Sequence, residues 1–359
     1  MPSRHFSNRS ESGAIALLVA LVAFAGCGGG SIDGSTAAPA AGFDPELKSR
    51  ISVSGVSAGG FMAVQSHVAL ADRIGGAGAV AAGPYHCARG DVQVALSECM
   101  TGEGLDVEPL VRFAQQAAAA GDIAPLEDLE SARVWIFHSP ADSVVAPAAG
   151  RALADFYEAF VTAGRVQLVD DVETAHGWPT LDSGAACLEW GGDFINDCDY
   201  DTAGGILRHL HDDLGARAPQ AKPENLVEAD FSAYFDSGSD VAPSGYMYVP
   251  ESCRGNVREC GLHIVFHGCV QGAEFLDDRF VMQAGFNEWA ESNSLIIAYP
   301  QVEKSLFNPK GCWDWWGYTN EDYDLRSGKQ VAGVAALIDA YASGTLLPKS
   351  VHSEIARQR

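Results

Sequence analysis

A glycine-flanked serine near the start of the chain constrains the fold more than any other feature of the sequence. Ser57 is the central residue of a G-x-S-x-G pattern at residues 55–59. A short β-branched run at residues 51–53 precedes the pattern, and residues 58–71, which are rich in apolar side chains and free of proline, predict a helix. A strand, this pattern and a helix together are typical of a nucleophile elbow, a tight turn that exposes a serine hydroxyl. The sequence therefore predicts that Ser57 is a nucleophile.

A catalytic serine needs a histidine and a carboxylate from elsewhere in the chain. Its hydroxyl is a poor nucleophile until an imidazole removes the proton, and the imidazole needs an acid to fix its tautomer. Asp142 follows a predicted strand at residues 133–137, and His176 follows another at residues 166–169. The order Ser57, Asp142, His176 is that of the α/β-hydrolases. These three residues are the predicted nucleophile, acid and base.

Other ionisable side chains compete for the roles of base and acid. A histidine that ends the strand before Asp142 and a histidine in a different motif suit the role less well than His176. Aspartates close to His176 in sequence are interpreted as solvated charges of its loop. The competing residues are His138 and His267 for the base, and Asp170, Asp171 and Asp182 for the acid.

Strands and helices alternate along the chain, which predicts an α/β fold with a mostly parallel central sheet. The elbow of an α/β-hydrolase normally follows several strands and an oxyanion loop, yet Ser57 comes early. Residues 261–266 predict a strand that leads into H-G-C at residues 267–269, the type of loop that supplies an oxyanion amide. A helix predicted at residues 331–341 would then lead back to the elbow. We therefore expect a circularly permuted α/β-hydrolase, because domain termini often lie close together.

The catalytic domain is predicted to span residues 46–348, with an internal linker at about residues 215–244 and a tail at residues 349–359. Two separate domains divided near Gln220 are the alternative. That division would leave an incomplete sheet in each half, so a single domain is favoured.

The N-terminus reads as a targeting segment. Two arginines precede an apolar run at residues 14–25 that is too short for a membrane span, which indicates an export signal. The sequence F-A-G-C that ends at Cys27 resembles a bacterial lipobox, which implies cleavage before Cys27 and acylation of its sulfur; an ordinary secretory signal is the alternative. Residues 1–26 are interpreted as the signal peptide and residues 27–45 as a flexible tether.

The cysteine count fits an exported protein. Nine cysteines are present, and setting Cys27 aside leaves an even eight, which predicts disulfides in an oxidising compartment. Eight cysteines allow about a hundred connectivities, and proximity in sequence favours one of them. A metal site is not expected, because no C-x-x-C occurs and the two histidines of an H-x-x-x-H at residues 263–267 would be too far apart on a strand. The favoured pairs are Cys87 with Cys99, Cys187 with Cys198, Cys253 with Cys260, and Cys269 with Cys312.

The formal net charge of −24 comes from 23 basic and 47 acidic residues. Such a surface repels nucleic acid and anionic lipid headgroups, so membrane attachment is expected only through an N-terminal lipid. Neutral substrates fit this charge better than polyanions. Keeping an exported protein soluble would by itself explain the same charge.

Five separated segments resemble, in matching order, the circularly permuted poly(3-hydroxybutyrate) depolymerases, within the polyhydroxyalkanoate esterases. The resemblance implies a serine esterase that cleaves poly(3-hydroxybutyrate) or its oligomers through an acyl-enzyme, without a cofactor or metal. The segments are GVSAGGFMAVQSHVA at residues 55–69, HSPADSVV at 138–145, AHGWPT at 175–180, HIVFHGC at 263–269 and GCWDWWGY at 311–318.

The same resemblance implies roles for particular residues. It assigns nucleophile, acid and base to the three residues named above, and an oxyanion hole to the backbone amides of Ala58 and Cys269. It also implies a tryptophan that holds the polymer chain, for which Trp315 is the first choice and Trp316 and Trp178 are alternatives.

Two other functions remain open from the sequence. A feruloyl or acetyl-xylan esterase would share the catalytic machinery but act on carbohydrate esters. A surface-binding lipoprotein that keeps the fold without the activity is the non-enzymatic alternative. The expected location is outside the cytoplasm, either lipid-anchored and facing the periplasm or cell surface, or secreted.

Overall fold

The computed structural model describes residues 43–346 of the chain. The predicted signal peptide, the Cys27 that is expected to be acylated, nearly all of the tether and the tail lie outside these residues. The described residues belong to one compact unit with no division near Gln220. A short helix begins at Pro45, which is the last residue of the stretch interpreted as tether.

An eight-stranded, mostly parallel sheet forms the centre of the fold, which confirms the predicted α/β-hydrolase class. The strands follow the spatial order β4-β3-β2-β1-β10-β11-β9-β8, and β9 pairs antiparallel with both of its neighbours. The bounds are β1 Ile51–Val56, β2 Gly76–Val80, β3 Arg133–Phe137, β4 Val166–Val169, β8 Leu226–Asp230, β9 Ser244–Tyr248, β10 Gly261–Phe266 and β11 Leu295–Tyr299. A second, three-stranded sheet comprises β5 Trp178–Thr180, β6 Ala185–Ala186 and β7 Ile195–Asp197.

Helices cover both faces of the sheet. The elbow helix α2 and α10 pack together on one face, while α6 and α9 pack together on the other. The helices are α1 Pro45–Ser49, α2 Ala58–Ala69, α3 Val92–Val94, α4 Val107–Ala120, α5 Pro147–Glu158, α6 Thr202–Leu210, α7 Ala273–Leu276, α8 Arg279–Gln283, α9 Phe286–Asn293 and α10 Lys329–Ala342. Shorter helical turns lie at Ala95–Cys99, Leu126–Leu129, Pro223–Asn225, Glu251–Cys253 and Val257–Glu259.

Strand β1 is buried along its whole length because both of its faces meet helices. Ile51 and Val53 belong to the hydrophobic core on the α2 side, whereas Val56 belongs to the core on the α6 side. Successive strand residues point to opposite faces, and the face opposite Ile51 and Val53 carries Ser52 and Ser54, which are buried with their hydroxyls 2.7 Å from His263.

The strands on the β10 side of β1 in the sheet all come after β1 in the sequence. Strand β10 pairs with β1 in parallel, with Gly55 opposite Phe266, and β11, β9 and β8 continue outward from β10. The segment at residues 215–244 is more than the linker that the sequence predicts, because it contains β8, which forms the edge of the sheet beside β9.

All four disulfides predicted from sequence proximity are present: Cys87 with Cys99, Cys187 with Cys198, Cys253 with Cys260, and Cys269 with Cys312. Over residues 43–346, no helix is both long enough and apolar enough to cross a membrane.

Candidate active site

The turn between β1 and α2 has the strained geometry of a nucleophile elbow. Ser57 has a φ of 54°, which is unusual for a residue with a side chain. Its N–H donates to the carbonyl oxygen of Val80 on the neighbouring strand, at 2.9 Å. Gly55 must lack a side chain, because a Cβ there would lie 2.3 Å from the carbonyl oxygen of Gly59. The backbone therefore holds the Ser57 hydroxyl above the end of the strand.

The three residues predicted as nucleophile, base and acid form one hydrogen-bonded chain. His176 Nε2 lies 3.0 Å from Ser57 Oγ, and His176 Nδ1 lies 2.8 Å from Asp142 Oδ2. The Nδ1–H donates to the carboxylate, which leaves Nε2 to accept the serine proton. Asp142 and His176 are only 7% and 6% exposed, so water competes little for these bonds.

Backbone groups fix the acid in place. Asp142 Oδ1 accepts hydrogen bonds from the amides of Val144 and Val145, at 2.8 and 3.0 Å. Ser139 joins this loop to the histidine loop: its hydroxyl donates to the carbonyl of Thr174 at 2.7 Å and accepts from the Thr174 amide at 2.8 Å. Nothing in the sequence indicates this connection, because it joins loops that follow two different strands.

The two competing histidines are hydrogen-bonded to the main chain. His138 Nε2 donates to the carbonyl of Val145 at 2.8 Å, and burial lowers the pKa of His138. His267 donates from Nδ1 to the carbonyl of Gly268 at 2.7 Å and accepts the Val302 amide at Nε2, at 3.1 Å. Burial lowers the pKa of His267 to about 4. Both imidazoles are engaged with backbone and away from Ser57, and the competing acids Asp170, Asp171 and Asp182 are exposed.

The predicted oxyanion loop lies beside the elbow. Because β10 pairs with β1, the H-G-C segment that follows β10 runs alongside the end of β1. Cys269 and Ser57 line the same groove. Ala58 is the first residue of α2, where a backbone amide has no acceptor within its own helix. Two main-chain segments thus approach the position above the Ser57 hydroxyl.

The groove around Ser57 and His176 has a volume of about 540 Å³ and is lined mainly by apolar side chains. Trp315 lies in its wall, stacked on Phe61 with ring centroids 4.2 Å apart. Trp316 also lines the groove and stands edge-on to Trp315 at 5.7 Å.

Trp178 does not reach the groove, which corrects the prediction that it contacts substrate. Its side chain is fully buried, and its indole N–H donates to the carbonyl of Ala284 at 3.0 Å. The ring packs against Phe286, on the α9 side of the sheet. Although only one residue separates Trp178 from His176, β5 turns its ring into the core.

Four exposed apolar side chains at the groove were not identified from the sequence. Val92 and Leu96 lie within the loop closed by the first disulfide, Trp190 lies within the second, and Phe307 within the segment closed by Cys269 and Cys312. Trp190 is 66% exposed and Phe307 is 77% exposed. The sequence does contain an indication of these residues: each is an apolar side chain inside a loop bounded by cysteines, where a core position is not expected.

Over the part of the chain that the structure describes, no group of three or more His, Cys, Asp or Glu side chains is arranged to hold a metal ion. His263 lies between the hydroxyls of Ser52 and Ser54, 2.7 Å from each.

Two known proteins of similar sequence are both named as polyhydroxybutyrate depolymerases. The chain is 38% identical over 327 residues to a poly(3-hydroxybutyrate) depolymerase of Delftia acidovorans, which covers 90% of this chain and 65% of the relative. It thus spans about two thirds of that relative's length. It is 31% identical over 351 residues to a polyhydroxybutyrate depolymerase of Talaromyces funiculosus, covering 93% of this chain and 98% of the relative.

Two solved structures are similar over most of the chain. A PHB depolymerase from Penicillium funiculosum superimposes with a TM-score of 0.74, and a PHB depolymerase complexed with an R3HB trimer with a TM-score of 0.76. Both are 28% identical in sequence, and each match covers 83% of this chain and 96% of the solved chain. No protein-family model matches the sequence.

Proposed function

The chain belongs to the poly(3-hydroxybutyrate) depolymerase family, and from that premise we propose that it is a serine esterase that hydrolyses poly(3-hydroxybutyrate) or its oligomers. The observation that carries the proposal is the hydrogen-bonded chain from Asp142 through His176 to Ser57, which opens onto an apolar groove. This arrangement supports acyl transfer from an uncharged ester.

In the proposed reaction, Ser57 Oγ attacks the ester carbonyl while His176 Nε2 takes its proton. The amides of Ala58 and Cys269 donate hydrogen bonds to the oxyanion that forms, and losing one such donor typically costs about 100- to 1000-fold in rate. His176 then passes the proton to the leaving alkoxide, and Asp142 stabilises the imidazolium. Water, activated by His176, releases the hydroxyacid from Ser57.

The groove and its rim support a neutral polyester as substrate. The walls are apolar, and the net charge of −24 disfavours polyanions. Trp315 and Trp316 are proposed to contact the chain beside the scissile ester, with Trp190 and Phe307 along the outer rim. A related solved enzyme is described as complexed with an R3HB trimer, which supports an oligoester of the same chemistry here.

We also propose that the protein is exported and that its fold is circularly permuted. Four disulfides support an oxidising location outside the cytoplasm, and acylation at Cys27 is proposed as the anchor. The order of the sheet supports a permuted α/β-hydrolase, because the strands on the β10 side of β1 are all encoded after the elbow.

A substrate panel tests this function. Purified protein is incubated with amorphous poly(3-hydroxybutyrate), a 3-hydroxybutyrate trimer, methyl ferulate and acetylated xylan, and the released acids are quantified. We expect 3-hydroxybutyrate or its dimer to be the dominant product. Preferential release of ferulate or acetate would identify a carbohydrate esterase instead, and a Ser57 that a fluorophosphonate does not label would indicate a binding protein without activity.

A further inference from the structure

One buried amide side chain connects the oxyanion loop to the histidine side of the site. Gln271 is 2% exposed and lies two residues beyond Cys269. Its Oε1 accepts the amide N–H of Gly268 at 2.7 Å. Its Nε2 donates to two carbonyl oxygens, those of Asp193 at 3.1 Å and Phe194 at 2.9 Å. The side chain therefore bridges two segments that are far apart in sequence.

The segment at residues 193–194 is itself attached to the histidine loop. The Phe194 carbonyl also accepts the amide N–H of Trp178 at 2.8 Å, two residues beyond His176. The Phe194 ring stands edge-on to the His176 imidazole, with centroids 6.2 Å apart, and edge-on to Trp190 at 6.3 Å. A displacement of Phe194 would therefore change the packing of both the His176 imidazole and Trp190 at the rim of the groove.

On the other side, Gly268 directly precedes Cys269. Because the Gly268 N–H donates to Gln271 Oε1, that amide is already paired within the protein. The next peptide carries the Cys269 amide, and its carbonyl, that of Gly268, accepts from His267 Nδ1 at 2.7 Å and from the Gln271 amide at 3.3 Å. Gln271 thus holds Gly268 through its side chain and through its main chain.

We propose that Gln271 is a positioning residue that fixes the Cys269 amide relative to the His176 imidazole. The inference rests on the function proposed above, and it assigns no contact between Gln271 and the reacting atoms. Among side chains of this length, only a carboxamide supplies one acceptor for an amide and two N–H groups for two carbonyls. The bridge holds together the parts of the site that stabilise charge and transfer protons.

The first test replaces Gln271 with methionine, which keeps the length and loses all three hydrogen bonds. Displacing an oxyanion donor weakens an interaction made only in the transition state, so kcat and kcat/KM should fall together while KM stays near its wild-type value. We expect a loss of roughly 10- to 100-fold on p-nitrophenyl butyrate, smaller than outright removal of a donor. Rates are expressed per active site titrated with a fluorophosphonate, so that misfolded protein does not contribute.

Asn287→Leu is the matched control for loss of a buried carboxamide. Asn287 is also 2% exposed, donates to the Val281 carbonyl and accepts from the Tyr299 hydroxyl, and lies on α9 outside the groove. We expect a lower unfolding midpoint but an unchanged rate per titrated site. A Gln271→Met variant that keeps kcat within about threefold of wild type per titrated site would overturn the proposal.

The Gln271→Glu variant supplies a readout that general destabilisation would not produce. A carboxylate faces two carbonyl oxygens unfavourably, whereas the protonated acid restores one acceptor and one donor. The kcat/KM of Gln271→Glu divided by that of wild type should therefore rise as pH falls from about 8 to about 5.

The ionisable neighbours are common to all the proteins compared, so their own titrations enter both terms of this ratio, and what differs is the new carboxyl and its interaction with them. They are His176, His267, Lys310, and Asp193 with its ion-pair partner Arg279. The same ratio for Gln271→Met should stay flat, and a flat ratio for both variants would contradict the proposal.

Wild type and Ser57→Ala are assayed beside these variants to separate the two proposals. A wild-type protein that cleaves p-nitrophenyl butyrate but no 3-hydroxybutyrate ester would contradict the proposed substrate alone, and Gln271 would still be judged by the rates above. A wild-type protein that is neither labelled nor active would overturn both proposals.

Discussion

Gly59 faces the main chain at Phe266 so closely that a Cβ on Gly59 would lie 2.1 Å from the Phe266 carbonyl oxygen. This contact packs the elbow helix α2 against the end of β10, where the proposed oxyanion loop begins. Two segments that are distant in sequence therefore meet backbone to backbone beside Ser57. Glycine is the residue that permits such an approach.

Gly59→Ala should consequently be among the most damaging small substitutions. The added methyl would meet the backbone oxygens of Phe266 and His267, at 2.1 and 2.4 Å, and neither can move without shifting β10. We expect loss of esterase activity together with a lower unfolding midpoint. Gly255→Ala is the control, because a Cβ there meets nothing within 4 Å. Equal activity and stability for both variants would contradict this description of the elbow.

The Trp315–Trp316 segment depends on one buried carboxylate. Asp314 accepts the amides of Gly317, Tyr318 and Thr319 at 2.7, 3.0 and 2.8 Å, and the Thr319 hydroxyl at 2.6 Å. Its own carbonyl accepts from Gln65 on the elbow helix at 2.9 Å. The carboxylate thus holds the loop that carries both tryptophans.

Asp314→Asn places an NH₂ group against those donors, at a cost of about 1–3 kcal/mol for each buried group left unpaired. We expect KM for the 3-hydroxybutyrate trimer to rise roughly tenfold, with a much smaller change for p-nitrophenyl acetate, because its acyl group offers the tryptophans far less contact area. Asp322→Asn, an exposed position on the same segment, serves as the control. A parallel change in KM for both substrates would argue against a role of this loop in binding.

The disulfides are predicted to contribute unequally to activity. Cys269 carries the proposed oxyanion amide and is joined to Cys312, 43 residues away, next to the tryptophan loop. Cys253 and Cys260 close only 7 residues at the opposite end of β10. Loop-closure entropy predicts a loss of about 4 kcal/mol for the first bond and about 2 kcal/mol for the second.

Paired alanine variants of each disulfide check this difference. The Cys269/Cys312 variant should lose both stability and kcat per titrated site, and the Cys253/Cys260 variant should lose only stability. Urea unfolding and single-turnover hydrolysis measure the two quantities. A Cys253/Cys260 variant that loses as much kcat as the Cys269/Cys312 variant would show that the oxyanion loop does not depend on its own disulfide.

A half-buried histidine at the amino ends of the strands predicts a pH effect on stability. Burial, reinforced by Arg133, lowers the pKa of His211 from 6.5 to about 4, and its Nε2 contacts the Ser52 hydroxyl at 3.2 Å. The unfolded chain binds this proton near pH 6.5 but the folded chain does not, so stability is lost as pH falls from about 6.5 towards about 4. The full effect is about 3 kcal/mol.

His211→Gln removes this titration while the other ionisable groups remain. The difference in unfolding free energy between wild type and variant should therefore shift in favour of the variant as pH falls, and level off below about pH 4. Urea denaturation across this range measures it. A difference that does not vary with pH would mean that His211 is not held neutral.

The hydrogen-bonded arrangement of Ser57, His176 and Asp142 could be predicted from sequence because its geometry follows from topology. Asp142 and His176 each follow a strand of a parallel sheet, and the carboxyl ends of such strands meet at one edge. The elbow pattern provided the third member. The disulfide pairs were also predictable, because each of the first three closes a short loop.

The predictions that fail are those that depend on the direction of a side chain or on recognising an edge strand of the sheet. Trp178 is close to His176 in sequence, but His176 lies in the loop before β5 whereas Trp178 is the first residue of that strand, and its ring points into the core. Strand β8 has a short, half-polar sequence, as edge strands often do, and it was interpreted as part of a linker. Gln271 and Ser139 were not identified because their partners lie on segments that are distant in sequence.

The most direct test of the account measures hydrolysis of a 3-hydroxybutyrate trimer by wild type and by Ser57→Ala. The structure places Ser57 Oγ 3.0 Å from His176 Nε2, and the alanine variant removes that hydroxyl without altering the elbow backbone. We predict release of 3-hydroxybutyrate by the wild type and a rate at least about 1000-fold lower for the variant, with an unchanged unfolding midpoint. A folded Ser57→Ala protein that cleaves the trimer at a rate near that of wild type would contradict the central claim.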